Sequence, residues 1–193
     1  TDRFAPRDFM TVVDNEFLGI DAVRGTYERG AHTLDAVWVP RLTPSRTPLL
    51  HQRWFIPPPD TAPLTVVRKI PEGSQYGIRW SHTGEVEFAA AFYSGFNHLP
   101  SHHLDSSGTI VEESYADQRM VGGDVGVPLQ LVSVKGEVAW FQSPDQKTDD
   151  YVLYVVQLER QPGEWFFVGG YGGQHVTARG TQNADFNPDR GMT

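Results

Sequence analysis

The chain has 193 residues, enough for one domain with a hydrophobic core or for part of a larger one. Apolar residues make up 39% of it, and no apolar run approaches the roughly 18 residues of a membrane-spanning helix, which excludes helical membrane proteins but not membrane barrels. The net charge of -8 argues against nucleic acid as a partner, and the absence of cysteine excludes disulfides, thiolate metal sites and cysteine nucleophiles.

Apolar and polar residues alternate along most of the chain, and this period of two predicts strands with two different faces. In the stretch 132–140, Val132, Val134 and Trp140 share one face, whereas Lys135 and Glu137 share the other. The same pattern predicts eight strands, near residues 20–28, 33–41, 75–81, 85–94, 118–128, 131–141, 151–160 and 164–172. Since no long segment sustains a helical period, the sequence predicts an all-β, antiparallel up-and-down meander, part or all of a transmembrane β-barrel.

The predicted connections alternate between short and long. Tight turns are predicted at 29–32, 82–84, 129–130 and 161–163, and longer connections at 42–74, 95–117 and 142–150. Short turns at one rim and long loops at the other are typical of outer-membrane β-barrels. The alternative is a soluble meander, a lipocalin-like barrel or a sandwich, in which this alternation arises by chance.

One predicted face carries no charge along its rows and has aromatic residues near the strand ends. Tyr27, Trp80 and Trp165 lie beside short turns, and Trp38, Tyr76, Phe92, Trp140 and Tyr171 lie near long loops. Two aromatic levels around a middle of Val, Ala, Gly and Phe indicate a face turned to lipid, because aromatic rings favour the headgroup boundary. The interface aromatics are predicted to be Tyr27, Trp38, Tyr76, Trp80, Trp140, Trp165 and Tyr171.

The other face carries ionisable side chains that would be costly in a dry core but suit a water-filled lumen. The predicted lumen-lining residues are Arg24, Asp35, Arg79, Glu87, Asp124, Lys135 and Glu137. A two-residue turn at 129–130 would set Asp124 opposite Lys135, and a three-residue turn at 82–84 would set Arg79 opposite Glu87. Such pairs are either solvated ion pairs or a ladder that biases which solutes enter, and the excess of acids would mildly favour cations.

Residues 1–9, 16–20, 36–46, 75–80 and 92–96 carry a resemblance to a known family. In these segments the chain resembles large porin-like and alginate-export-like outer-membrane barrels of Gram-negative bacteria. The resemblance implies a channel without a cofactor, in a barrel with many more strands than eight. We therefore expect residues 1–193 to be one barrel domain that is an internal piece of a larger barrel, since a closed eight-stranded barrel would be filled by its own side chains.

The connection 95–117 offers weak candidates for chemistry. His98, His102 and His103 could bind zinc or copper, but Pro100 argues against the helix that would bring the first two together, and we predict no metal site. The serines at 106 and 107 lack the pattern of a nucleophile elbow. Glu85 and Glu87 could act as paired carboxylates, although a structural role is favoured.

Two further segments have structural interpretations. The glycine run 169–173 lacks the Lys and Ser/Thr of a phosphate loop, and we expect it to let Tyr154 lie over bare backbone. The three prolines at 57–59 are expected to stiffen the first long loop, which could act as a lid or constriction.

The sequence thus favours a non-enzymatic outer-membrane channel for small hydrophilic solutes, with outer-membrane lipid and the solute as partners and the long loops controlling entry. One alternative is a soluble calycin-like module that binds an apolar ligand between inward Val and Trp rows. The other is a barrel hydrolase that uses residues 98–113 and depends on His102 or His103.

Overall fold

The computed structural model describes residues 4–10, 16–47, 65–106 and 109–180, and in these ranges the protein is built from β-strands. In chain order the strands are β1 (Arg7–Asp8), β2 (Glu16–Phe17), β3 (Val23–Arg29), β4 (His32–Val39), β5 (Thr65–Lys69), β6 (Gln75–His82), β7 (Glu87–Phe96), β8 (Ser101–Leu104), β9 (Ile110–Ser114), β10 (Asp117–Pro128), β11 (Ser133–Gln142), β12 (Asp150–Arg160) and β13 (Phe167–Ala178). No helix in the described part of the chain is long and apolar enough to cross a membrane.

Eight antiparallel strands form the main sheet, in the order β13-β12-β11-β10-β7-β6-β4-β3. All eight were predicted from the alternation, and the fold class is confirmed. The largest difference in bounds is at β13, which continues to Ala178 instead of ending near residue 172. Tyr171 was expected near a long loop, and this extension places it in the interior of the strand, opposite Val156.

The predicted cross-strand partners of the charged residues are wrong, because two of the turns are longer than expected. The β10–β11 connection closes at Pro128 and Ser133, which sets Asp124 opposite Glu137 instead of Lys135. In the β6–β7 hairpin, His82 pairs with Phe88, so that Arg79 lies opposite Ala91 instead of Glu87. Both errors shift the partner by an even number of residues, and every side chain therefore keeps its predicted face.

The long loops contain strands that the alternation did not predict. Strands β5, β9 and β8 form a separate three-stranded sheet, which we call the loop sheet. Its β5 runs parallel to β9, with Thr65 beside Ile110, and thereby joins the two longest connections of the main sheet. Strands β1 and β2 form a small antiparallel pair near the N-terminus.

The buried residues of the main sheet cluster on one face, at the end near the long loops. Val39, Tyr93, Phe141 and Tyr151 are each less than 5% exposed. The Phe4 ring packs edge-on against Tyr93, with the ring centroids 5.1 Å apart. The N-terminal segment, residues 4–10, thus covers part of this face of the sheet.

Candidate functional site

One face of the main sheet, the apolar face, is exposed although it consists of large apolar side chains. Its most exposed members in the main sheet and adjoining turn include Val23 and Tyr27 at 63%, Tyr171 at 69% and Trp165 at 72%. The charged residues on this same face lie near the strand ends; examples are Arg29, Arg119 and Arg160. A band of apolar side chains bounded by charges therefore lies on a face that the described chain leaves open.

The predicted interface aromatics lie on the apolar face, several of them in contact with one another. Trp38 pairs directly with Tyr76 across β4 and β6. Trp80 stacks on His32 and meets Phe88 edge-on, with ring centroids 5.6 and 5.4 Å apart. Tyr27, Trp38, Tyr76, Trp80 and Trp140 lie within two residues of a strand end, and Trp165 lies in the connection before β13.

The glycine run in β13 accommodates an aromatic ring as expected. Gly173 is directly opposite Tyr154, and a Cβ atom added at Gly173 would lie 2.5 Å from the Tyr154 Oη. A Cβ added at Gly169, on the same face of the same strand, would meet no atom within 4 Å. The contact with Tyr154 therefore requires a glycine at position 173, whereas no neighbour requires one at position 169.

The opposite face, the charged face, carries the seven predicted polar residues. Three ion pairs hold most of them: Arg24–Asp35 at 2.9 Å, Arg79–Asp124 at 2.9 Å and Lys135–Glu159 at 2.8 Å. These side chains are partly exposed, so solvent screens each pair and its contribution to stability is small. Among the described residues, Glu87 and Glu137 form no ion pair.

A cavity of about 400 Å³, which we call the charged cavity, lies on this face. Five of the seven predicted residues line it, together with Gln157: Arg79, Glu87, Asp124, Lys135 and Glu137. The remaining two are adjacent, since Asp35 lies opposite Arg79 and is paired with Arg24. The structure therefore brings the predicted polar residues together along one wall.

A second cavity, which we call the N-terminal cavity, lies between the N-terminal segment and the charged face, with a volume of about 570 Å³. The N-terminal segment is fixed there by its backbone: Arg46 N–H donates to Arg7 O at 2.9 Å, and Phe9 N–H donates to Arg46 O at 2.8 Å. Its Phe4 lies so close to Gly77 that an added Cβ would be 2.8 Å from the ring. The sequence alternation carries no signal for this segment, because it lies across the strands instead of among them.

The loop sheet contains a buried carboxylate, Glu113, which is fully inaccessible to solvent. Arg68 Nε donates to its Oε2 at 2.7 Å, and His102 Nε2 lies 3.5 Å from its Oε1. The hydrogen bond with Glu113 raises the pKa of Arg68, and burial raises the pKa of the neighbouring Tyr115 hydroxyl. This cluster fastens β5 to β9.

The three histidines considered as metal ligands make contacts with different parts of the chain and do not face one another. His98 Nδ1 lies 2.8 Å from Thr43 O, while His102 faces Glu113 and His103 follows on the other side of β8. Within the described ranges no three His, Asp or Glu side chains are grouped as metal ligands. Ser107 and the prolines at 57–59 lie outside the described residues.

No family model and no curated protein matches the chain. A solved structure, that of a porin refined at 1.8 Å resolution, is similar over 79% of this chain and 44% of the porin, with 17% sequence identity and a TM-score of 0.52. The chain therefore spans less than half of the porin that it matches. At this identity the likeness is one of fold, and the chain has a porin-like, all-β fold.

Proposed function

We propose that the chain forms part of the wall of an outer-membrane channel in a Gram-negative bacterium and that small hydrophilic solutes pass along its charged face. The observation that carries the proposal is the opposite chemistry of the two faces. An exposed apolar band that has aromatics near its strand ends and is bounded by charges matches a lipid-facing surface. A face with ion pairs and a polar cavity matches a hydrated lumen.

The charged face also suggests which solutes pass. Arg79 and Lys135 are each paired with an acid, whereas Glu87 and Glu137 carry negative charge without a basic partner among the described residues. Unpaired carboxylates on a lumen wall attract cations and repel anions. We therefore expect a mild preference for cations, with the N-terminal segment and the loop sheet controlling entry at the long-loop end.

The wall would need more strands than those of the main sheet. Within the described residues, the outermost strands β3 and β13 pair with no further strand on their outer edges. A bilayer does not tolerate unpaired backbone groups at an exposed sheet edge. We propose that the sheet is one arc of a larger barrel, because eight strands closed on themselves would leave no room for a solute path.

The geometry supports the two alternatives less well. A soluble lipocalin-like barrel would turn its apolar rows inward, yet Val138, Val156 and Leu158 are 49 to 50% exposed. A hydrolase would need a nucleophile beside a histidine, and the described contact of His102 is with Glu113. We propose that the protein is not an enzyme.

Single-channel recording in planar lipid bilayers tests the proposed function. The complete barrel that contains this chain, once purified, is expected to give stepwise conductance and, in a salt gradient, a reversal potential that favours cations mildly. Absence of conductance steps from protein that has inserted into lipid would contradict the channel. A protein that stays monodisperse without detergent and does not bind lipid would support the soluble alternative.

A further inference from the structure

The apolar face carries a row of basic side chains at the end near the short turns. Arg29 on β3 pairs with His32 on β4, and His32 pairs with His82 on β6. The two histidines lie two residues along their strands from Leu34 and Trp80, and therefore on the same face of the sheet. We call Arg29, His32 and His82 the basic row.

Aromatic contacts fix the two imidazoles of the basic row. The His32 ring stacks on Trp80, and the His82 ring stacks on Phe88, with ring centroids 5.6 and 5.0 Å apart. The two imidazole centroids are 4.7 Å from each other. The row is therefore held side by side next to Arg29 without using its ring nitrogens.

The nitrogens of the basic row have no polar partner among the described residues, and Nδ1 of His82 is buried without one. The acids nearest in the chain do not neutralise Arg29. Glu28 alternates onto the charged face, where it lies opposite Thr33. Glu85 lies in the connection after β6, which is two strands and thus about 10 Å from β3 at the usual strand spacing.

An apolar strip with open space adjoins the basic row. Leu34 follows His32 on the same face, and the next pair along the strands consists of the small residues Gly25 and Ala36. A Cβ atom added at Gly25 would meet no atom within 4 Å. A free phosphate would use the row alone, whereas a molecule with a phosphate head and a hydrocarbon chain fits the row and the strip together.

We propose that the basic row binds the phosphate of an anionic phospholipid in the leaflet around the short-turn end. The Arg29 guanidinium would pair with the phosphate, the imidazole N–H groups would donate to its oxygens, and an acyl chain would lie over Gly25 and Ala36. A zwitterionic lipid gains less, because its own cation competes for the phosphate. The inference rests on the proposed function, since lipid reaches the row only if the apolar face lies in a membrane.

Quenching by brominated lipid tests the proposal on the complete barrel that contains this chain. The chain has no cysteine, so a single labelled cysteine replaces either Ile78, opposite Ala36, or Val156, a distant position on the same face with similar exposure. Any cysteine outside the chain is replaced first. Brominated phosphatidylglycerol and brominated phosphatidylcholine, each diluted into unbrominated vesicles, give the local association of the anionic lipid relative to the zwitterionic one.

This ratio is expected to be about fivefold at position 78, the effect of one basic residue at a membrane surface, and close to one at position 156. Millimolar glycerol 3-phosphate in the buffer is expected to leave the ratio unchanged. Loss of the preference in its presence would identify a site for free phosphate and contradict the lipid site.

Variants locate the site. Arg29→Gln is expected to bring the ratio at position 78 close to one. Arg160→Gln removes the same charge from the same face at the end of β12, opposite Phe167, and is expected to keep the ratio of the parent. His32→Phe keeps a ring on Trp80 but removes the N–H donor, and it is expected to lower the ratio about twofold.

The proposal is overturned if the ratios at positions 78 and 156 are equal, if Arg29→Gln keeps the ratio of the parent, or if Arg160→Gln abolishes the preference. The failure of this inference is distinguishable from that of the proposed function. Quenching by both lipids without an anionic preference removes only this inference. Quenching by neither lipid at either position removes the membrane assignment on which the proposed function depends.

Discussion

Val155 and Val156 are neighbours on β12 that stand on opposite faces of the main sheet. They are 45% and 49% exposed, so the two positions have the same side chain, lie on the same strand and have similar accessibility. Val156 belongs to the apolar face, where it lies opposite Gly136 and Tyr171, whereas Val155 lines both cavities. Any difference between substitutions at these two positions therefore reports the surroundings of the two faces.

Val156→Arg is expected to destabilise the folded protein in lipid vesicles by about 2–4 kcal/mol, the cost of a charge facing hydrocarbon. Val155→Arg is expected to cost less than about 1 kcal/mol, since a lumen position is hydrated. Urea unfolding in vesicles measures both. Equal costs, or a larger cost at Val155, would contradict the assignment of faces.

Gly173 gives a second test at the residue scale. Gly173→Ala is expected to lower stability by about 1 kcal/mol, because its Cβ would displace the Tyr154 ring. Gly169→Ala, the control in open space, is expected to be neutral or slightly stabilising. In the Tyr154→Ala background the cost at Gly173 should disappear, and its persistence there would show that the ring is not the cause.

At the scale of elements, the loop sheet depends on a single buried contact. Glu113→Ala leaves Arg68 without its carboxylate and is expected to accelerate hydrogen exchange of the β5 and β9 amides by about tenfold or more. Glu112→Ala is the matched control, because Glu112 pairs with Lys69 on an exposed site at 2.6 Å. Similar exchange in the two variants would exclude Glu113 as the fastening residue.

The strands of the main sheet show which features alternation can predict. A face is specified by odd or even position, so the assignment of Asp124 and Lys135 to one face survived the error in register. The register itself depends on turn length, and the four residues between Pro128 and Ser133 differ from the two expected. The ion partners of Arg79 and Lys135 therefore could not be read from the sequence.

Non-local contacts account for the rest of what sequence reasoning missed. The parallel pairing of β5 with β9 joins residues far apart in the chain and leaves no local pattern. The same holds for Phe4, whose ring lies over Gly77. The sequence contains one indication of the Phe4 contact. Gly77 is the single glycine on the charged face of β6, and a glycine inside a strand often marks a close approach by another group.

At the scale of the whole molecule, the two faces of the main sheet differ in chemistry and suit two different surroundings, lipid and water. The apolar face has no cover in the described chain, and the charged face carries both cavities and the N-terminal segment. The proposed channel wall would account for this arrangement, since its strands would separate lipid from a hydrated path. Alternate residues of each strand are therefore expected to face lipid and water.

Site-directed fluorescence along β12 can decide which residues face lipid, because the chain contains no cysteine and single cysteines can be introduced without background. Each position from Val152 to Glu159 is labelled in turn with a small fluorophore, and the protein is inserted into vesicles. Brominated lipid is expected to quench positions 152, 154, 156 and 158, and aqueous iodide is expected to quench 153, 155, 157 and 159. Lipid quenching at none of these positions, or at the odd-numbered ones, would contradict the account.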